Sequence, residues 1–150
     1  MPSLSSTELQ TIHSFLKVQS TLSLATVNAD GTPTIAPLFY VSDDELNLYW
    51  LSSPRSRHSV NLTERPNVAA TIYPEVWDWK SIRGLQIEGR ATAIENEERQ
   101  RALTRYQDKF TLPSSFDAQI AASIFYKLVP HWLRWLDNSV QFGYKAEVEF

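Results

Sequence analysis

The sequence predicts a mainly β chain: a small closed or nearly closed antiparallel barrel decorated by helices. Three features predict it. Six or seven short β-prone runs are separated by turn signals. The first of them follow one another without the crossover helices that parallel strands need. Closure would remove the exposed strand edges that such a sheet otherwise leaves. The chain has 150 residues, 43% hydrophobic and 21% charged, with 5 Trp, 6 Tyr and 7 Phe. That supply of apolar side chains suits one core, so one domain is expected over residues 1–150 and wholesale disorder is excluded.

The elements follow in order. Residues 5–19 predict an amphipathic helix, opened by the capping box Ser5 and Glu8 and carrying Leu9, Ile12, Phe15 and Leu16 on one stripe. Residues 22–27 read as a strand that turns at Asn28-Ala29-Asp30-Gly31 into a partner over 32–41. Pro37 cannot donate to a ladder, which places it at an edge, a bulge or a barrel rim. Asp43-Asp44 turns into a third strand over 46–51, giving a three-stranded meander. Ser53 and Pro54 then predict the N-cap and first position of a helix that Arg65-Pro66 stops. Residues 67–73 form a strand and 74–81 a loop with Trp77 and Trp79. Residues 83–95 predict a long strand bent at Gly84 and Gly89. Helices are expected over 97–110 and 114–126, and strands over 129–137 and 140–149.

Composition excludes several functions. With no Cys there is no disulfide, thiolate nucleophile or cysteine-ligated metal. No window approaches the roughly 20 apolar residues of a membrane helix. The polar start from Met1 to Gln10 carries no signal segment, so a cytoplasmic address is expected. A net charge of −3 argues against a dedicated nucleic-acid binder. The four glycines, Gly31, Gly84, Gly89 and Gly143, are too scattered for a dinucleotide fingerprint or a P-loop. His13, His58 and His131 lack ligand spacing, so no metal site is expected.

One segment concentrates chemistry: Ser52-Ser53-Pro54-Arg55-Ser56-Arg57-His58-Ser59. It joins a strand end to a helix N-terminus, where unpaired N–H groups and the helix dipole favour an anion. Cations placed there oppose the dipole unless something anionic compensates. A phosphate fits, since Arg57 offers a fork of donors and the hydroxyls offer more. The plainer alternative is a solvated helix start whose arginines pair with carboxylates. On an acidic chain a phosphate suggests a small ligand rather than a polymer. The apolar strand Ala36-Pro37-Leu38-Phe39-Tyr40 offers a surface for a flat ring, and equally suits a strand buried on both faces or at a subunit contact. Trp77 and Trp79 could cover a planar ligand or pack on a partner. The run Glu95 to Arg101 reads as a solvated helix face. Trp132, Leu133, Trp135 and Leu136 belong to a core or a homodimer contact.

With these residues in view, the chain from about residue 20 onward resembles the pyridoxamine 5'-phosphate oxidase-like, FMN-binding split-barrel superfamily. The resemblance is carried by Leu24-Ala25-Thr26-Val27-Asn28-Ala29-Asp30-Gly31-Thr32-Pro33, by Leu48-Tyr49-Trp50-Leu51-Ser52 through Ser56-Arg57-His58, by Asn61-Leu62 and Arg65-Pro66-Asn67-Val68-Ala69, and by Gly84-Leu85-Gln86-Ile87-Glu88-Gly89-Arg90-Ala91. It implies a six-stranded antiparallel split β-barrel with peripheral helices, and a homodimer with FMN in the groove between subunits. Arg57 and His58 stand where the family's Arg-Lys pair holds the FMN phosphate. Ser52, next to Leu51, matches the Thr or Ser ending the third strand. Ala36, Pro37, Leu38 and Phe39, on to Val41, match the strand along the flavin ring.

Some positions depart from that pattern. Ala36 and Val41 replace the Arg and Lys that bound the flavin strand of true pyridoxamine phosphate oxidases. Gly84 replaces their glutamine, with Gln86 as a stand-in two residues on. Their substrate-holding Tyr and Arg are not matched, and the C-terminal Arg-Leu-His is absent. The expectation is an FMN-binding oxidoreductase acting on some other small molecule or electron donor. The alternatives are a flavin-binding module without turnover, a haem-binding split barrel with His131 or His58 as axial ligand, and a deazaflavin binder.

Overall fold

The structure, a computed structural model, describes residues 4–150. Its first hairpin forms where the Asp-Gly signal lies. β1 (Thr21–Val27) pairs antiparallel with β2 (Pro33–Phe39), and Gly31 takes the positive φ of 86° that the turn requires. Ahead of the hairpin, α1 (Ser6–Val18) begins at the expected capping box, with Glu8 and Ser5 bonded reciprocally. Beyond β2 come β3 (Val41–Ser42), β4 (Leu48–Ser52), α2 (Arg57–Glu64), β5 (Asn67–Ile72) and β6 (Arg83–Ile94). The chain then runs through α3 (Asn96–Lys109), α4 (Asp117–Ala122), β7 (Ile124–Asp137) and β8 (Lys145–Glu149).

All strands join one sheet in the order β2-β1-β5-β6-β7-β4-β3, with β8 added beside β7. Every pairing is antiparallel. The two ends of this order, β2 and β3, are separated in the chain only by Tyr40. The sheet must therefore curl until its edges meet, which makes a barrel that is split along β2. The eight strand segments exceed the six that the resemblance implies, and the one not read from the sequence is the two-residue β3, set off at the end of the predicted strand over 32–41.

The expected three-stranded meander does not form, because β2 pairs with β1 alone. The hydrogen bonds explain why. Asn28 N donates to Thr32 O and Tyr40 N to Ser20 O, so the bonded rungs fall on alternate residues of β2, from 34 to 38. The backbone groups of Pro33, Ile35, Pro37 and Phe39 consequently point to the free edge. Prolines occupy two of those four positions, and a third strand would find no N–H there. Pro37 thus lies on an edge, as its chemistry requires.

Two other expectations change. Helix is confined to residues 117–122, after a short 3-10 turn, and Ile124, Phe125 and Tyr126 start β7 instead. These β-branched and aromatic residues lie between β4 and the end of β6, where pairing on both sides outweighs local helix propensity. The predicted last strand is shortened to residues 145–149, because 138–144 form a turn held by Asn138 and Asp137. In β6 the predicted bend is a bulge at Glu88/Gly89. The extra residue is His131 on β7, since Glu88 faces Trp132 and Gly89 faces Pro130. A side chain at 89 would meet Val129 O at 2.3 Å, so only glycine fits.

The barrel interior holds Leu22, Leu24, Ile72, Leu85, Ile87 and Trp135, closed at one end by Ile12, Phe15 and Leu16 of α1. Outside, α3 packs Ala102 and Tyr106 against Val41, Tyr49 and Phe125. Tyr40 joins both regions. Its ring is fully buried and its hydroxyl donates to Leu16 O at 2.9 Å, near the end of α1. Lys109 Nζ, ending α3, sits 4.2 Å from the centre of that ring and donates to Leu16 O and Gln19 O. Burial lowers this amine to about 8, which leaves it charged at neutral pH and suited to the carbonyl end of α1.

No helix among the described residues is long and apolar enough to cross a membrane. Replacing the joining tyrosine should separate packing from hydrogen bonding. Tyr40→Phe is expected to cost about 1 kcal/mol in urea unfolding, and Tyr40→Ala about 3–5 kcal/mol. Equal losses would show that the ring does not carry the joint.

Candidate functional site

The segment between β4 and α2 folds as two consecutive devices. Ser53-Pro54-Arg55-Ser56 closes a β-turn, with Ser56 N donating to Ser53 O at 3.2 Å and Pro54 in the second position that suits its fixed φ. Only then does the helix begin, at Arg57 with Ser56 as N-cap. This corrects the expected start at Ser53 and Pro54, because the turn uses the proline first. The Ser56 hydroxyl bonds Ser53 O and Ser59 Oγ instead of capping the helix. The first N–H groups of α2 therefore keep no side-chain cap.

Arg57, at the head of this helix, is exposed and makes no ion pair among the described residues. The alternative in which the arginines of this segment pair with carboxylates is not what forms, since Arg55 has no such partner either. Asp30, in the β1–β2 turn, lies near enough for Arg57 to assist its ionisation. Hydrogen bonds from Thr32 are the larger reason its carboxyl is lowered.

Ser52 and His58 meet. Ser52 ends β4 on the same face as Trp50 and Leu48, only 8% exposed, and its Oγ is 2.7 Å from His58 Nε2. Ser56 Oγ lies 3.1 Å from the same nitrogen. Burial lowers the imidazole below its ordinary value, so the ring is neutral at pH 7. Leu51, one residue earlier, faces the other way and packs with Leu103 and Phe110 under α3.

The β2 residues divide by face. Ala36 and Leu38 are half-buried, and Leu38 packs on the barrel core. Pro37 and Phe39 point outward with Ile35, which is 67% exposed. The strand is thus not buried on both faces. Gln86 is on the outer face too, where Arg134 donates to it. Strands β1 and β5 lie between its strand and β2, yet Gln86 shares one outer groove with Ile35 of β2. Gly84 could not have been a glutamine here, because a Cβ would lie 2.7 Å from Ile72 O. Trp77 and Trp79 lie exposed by the start of β6, at the opposite end of the strands from Arg57, and Trp79 meets Phe142 edge-on. Trp132 alternates with buried Leu133 and Trp135 and lines the outer face.

Asn61 is the part of the site that local sequence did not reveal. It is buried in α2 and donates to Thr26 Oγ1 at 3.1 Å and Asn28 Oδ1 at 2.9 Å. Arg65 adds a bond from Nε to Val27 O. Together they fix α2 against the end of β1, and so fix where Arg57 and His58 stand relative to the hairpin. The sequence signals were a polar residue beside Leu62 on the helix's apolar face and the place of Asn61-Leu62 in the family resemblance, neither of which names its partners.

Known proteins resemble this chain in sequence and fold. A family model described as pyridoxamine 5'-phosphate oxidase matches residues 9–134. A UPF0306 protein of Photorhabdus laumondii is 28% identical over 137 residues, covering 91% of this chain and 92% of its own. Among solved structures, HutZ, the haem storage protein from Vibrio cholerae, matches with a TM-score of 0.70 at 23% identity over 81% of this chain and 88% of that one. Campylobacter jejuni ChuZ matches with a TM-score of 0.81 at 17% identity, over 99% of this chain and 61% of its own. At such identities these structures speak for the split-barrel fold alone.

The α2 anchor is open to a double-mutant cycle. Asn61→Ala should cost about 1–3 kcal/mol in urea unfolding, since it strands the buried Thr26 hydroxyl. Thr26→Val should add little on top of it. Fully additive losses would show that the two side chains do not act together.

Proposed function

The chain belongs to the pyridoxamine 5'-phosphate oxidase family, and on that premise we propose that it binds FMN and acts as an FMN-dependent oxidoreductase on a small molecule other than pyridoxamine phosphate. The observation that carries the reading is the uncapped N-terminus of α2 with the unpaired Arg57 at its head. Helix N–H groups and a guanidinium form a donor set with no acceptor of its own, beside the Ser52 hydroxyl that bonds His58, and this suits a phosphate dianion. The free edge of β2 adds the N–H groups of Ile35 and Phe39 and four carbonyls, which suit the polar edge of a flat heterocycle. The residues present therefore fit the cofactor.

When bound, FMN would supply the hydride or electron chemistry. The chain's own task is to hold and orient. Arg57 and the α2 amides fix the phosphate end, β2 supports the ring, and Asn61 keeps these two elements in register. On this reading no side chain need act as acid or base, and among the described residues no carboxylate bonds Ser52 or His58.

We place the ring at a contact between two copies of the chain. Ile35 and Phe39 are 67% and 56% exposed on one outward face, beside a shallow groove of about 440 Å³ floored by Ser23, Ala25, Ala69 and Thr71. Small residues there leave room for a partner's side chains, and a second copy would cover the apolar ridge. Gln86 lines the same groove and would face the ring there. The lack of cysteine suits a cytoplasmic address.

A haem-binding reading stands second, and one observation favours it. The bulge turns His131 outward, exposed and 3.8 Å from Glu88, into a hollow lined by Ala25, Val27, Pro33 and Val68. HutZ is described as a haem storage protein. His58 suits a ligand's role less, because its Nε2 is already engaged by Ser52 and Ser56. Under that reading added haem gives a Soret band that His131→Ala abolishes.

Flavin fluorescence titration tests the leading reading. Arg57→Ala should weaken FMN binding by about 1.5–3 kcal/mol, tenfold or more in Kd. Unchanged affinity would remove Arg57 from the site.

A further inference from the structure

We propose that His58 takes up one proton when the FMN phosphate binds, and that this turns the Ser52 hydroxyl from a partner of the ring into a donor to the phosphate. The proposal rests on the FMN reading above and assigns His58 a positioning role within it.

The geometry places the ring at a point where charge is disfavoured until an anion arrives. His58 is the second residue of α2, and its Nε2 touches only two hydroxyl oxygens, Ser52 Oγ at 2.7 Å and Ser56 Oγ at 3.1 Å. Each neighbouring charge opposes protonation or is committed elsewhere. Arg55 and Arg57 are cations of the same segment, and the helix dipole presents its positive end. Asp30, across in the β1–β2 turn, is bonded to Thr32. Glu64, at the far end of α2, pairs with Arg65. Among the described residues no carboxylate comes within ion-pair distance of His58. Burial acts in the same direction and keeps the free ring neutral.

With the neutral ring's hydrogen on Nδ1, the tautomer that the proposal requires, a bare Nε2 accepts the Ser52 hydroxyl hydrogen across the 2.7 Å contact. The Ser52 side chain is nearly buried and has no other partner, so its one donor is occupied by the ring. A phosphate dianion at the α2 N-terminus reverses the balance, because an opposite charge at close range favours the imidazolium. A proton from solvent then adds at Nε2. The ring now donates from Nε2 to Ser52 Oγ, and the freed hydroxyl hydrogen turns to a phosphate oxygen. One proton is consumed per FMN bound and no bond between heavy atoms changes. The two phosphate charges are met by Arg57 and the new imidazolium. A lysine in this place would arrive charged, and binding would take up no proton.

The sign follows by linkage. A ligand whose complex binds one proton more than the free protein binds tighter as pH falls. The gain approaches tenfold per pH unit between the bound and the free pKa of the ring. The second phosphate pKa lies near 6, so the useful window is above about pH 6.5.

The experiment combines three measurements on the intact protein between pH 6.5 and 8.5: FMN affinity by flavin fluorescence, proton uptake by calorimetry in buffers of different ionisation heat, and the imidazole NMR signals. Only His13, His58 and His131 contribute such signals. The expected result is uptake approaching one proton, a Kd that falls severalfold to tenfold per pH unit, and a shift of the His58 signal to the imidazolium position with FMN but not with riboflavin. His58→Lys should flatten the pH profile to within twofold. His58→Gln should do so at lower affinity, and serves if a lysine is not tolerated in this half-buried place. FMN bound at a pH-independent Kd without proton uptake would overturn the proposal and leave the FMN reading standing. No FMN binding at any pH would overturn both.

Discussion

Pro33 and Pro37 keep one edge of the sheet open, and much of the architecture follows from that. Both stand at positions whose backbone groups face away from β1, so the edge of β2 offers only two N–H donors. A third strand gains little by pairing there, and the chain instead crosses at Tyr40 to the other end of the sheet. The barrel is thereby split and yet closed, since its two edges are consecutive in the chain. An edge that rejects strands still leaves carbonyls and N–H groups free.

The joint at Tyr40 would be fragile without support, because a barrel split along one seam lacks ladder hydrogen bonds across it. Support comes from two helices. Tyr40 and Lys109 both bond the carbonyl end of α1, which ties the seam to α1 through the phenol and to α3 through the ammonium. Asn61 and Arg65 tie α2 to the β1 end of the same hairpin. Between these anchors lie the free edge of β2 and the uncapped start of α2. Its position is set by buried polar bonds rather than by loop conformation, which is what holding a ligand in a defined pose requires.

Local chemistry was legible in the sequence and long-range pairing was not. The capping box at Ser5 and Glu8, the Asp-Gly turn and the edge position of Pro37 each follow from the residues concerned, and each is present. The meeting of a strand end and a helix start between Ser52 and Ser59 was readable for the same reason. Ser53 and Pro54 suited both a β-turn and a helix start, and only the turn's own bonds decide between them. Ile124 to Tyr126 were assigned to a helix because their strand character depends on β4 and β6, distant in sequence. The meander failed because proximity in sequence says nothing about which strand closes the barrel. Asn61 reaching Thr26 is likewise a fact of tertiary pairing.

We propose that the open edge of β2 and the head of α2 form an FMN site completed by a second chain. Native mass spectrometry of the protein, purified without added cofactor and then again with FMN, tests it most directly. The account predicts two chains carrying two FMN molecules. A single chain, or a dimer that takes up no FMN when it is supplied, would contradict it.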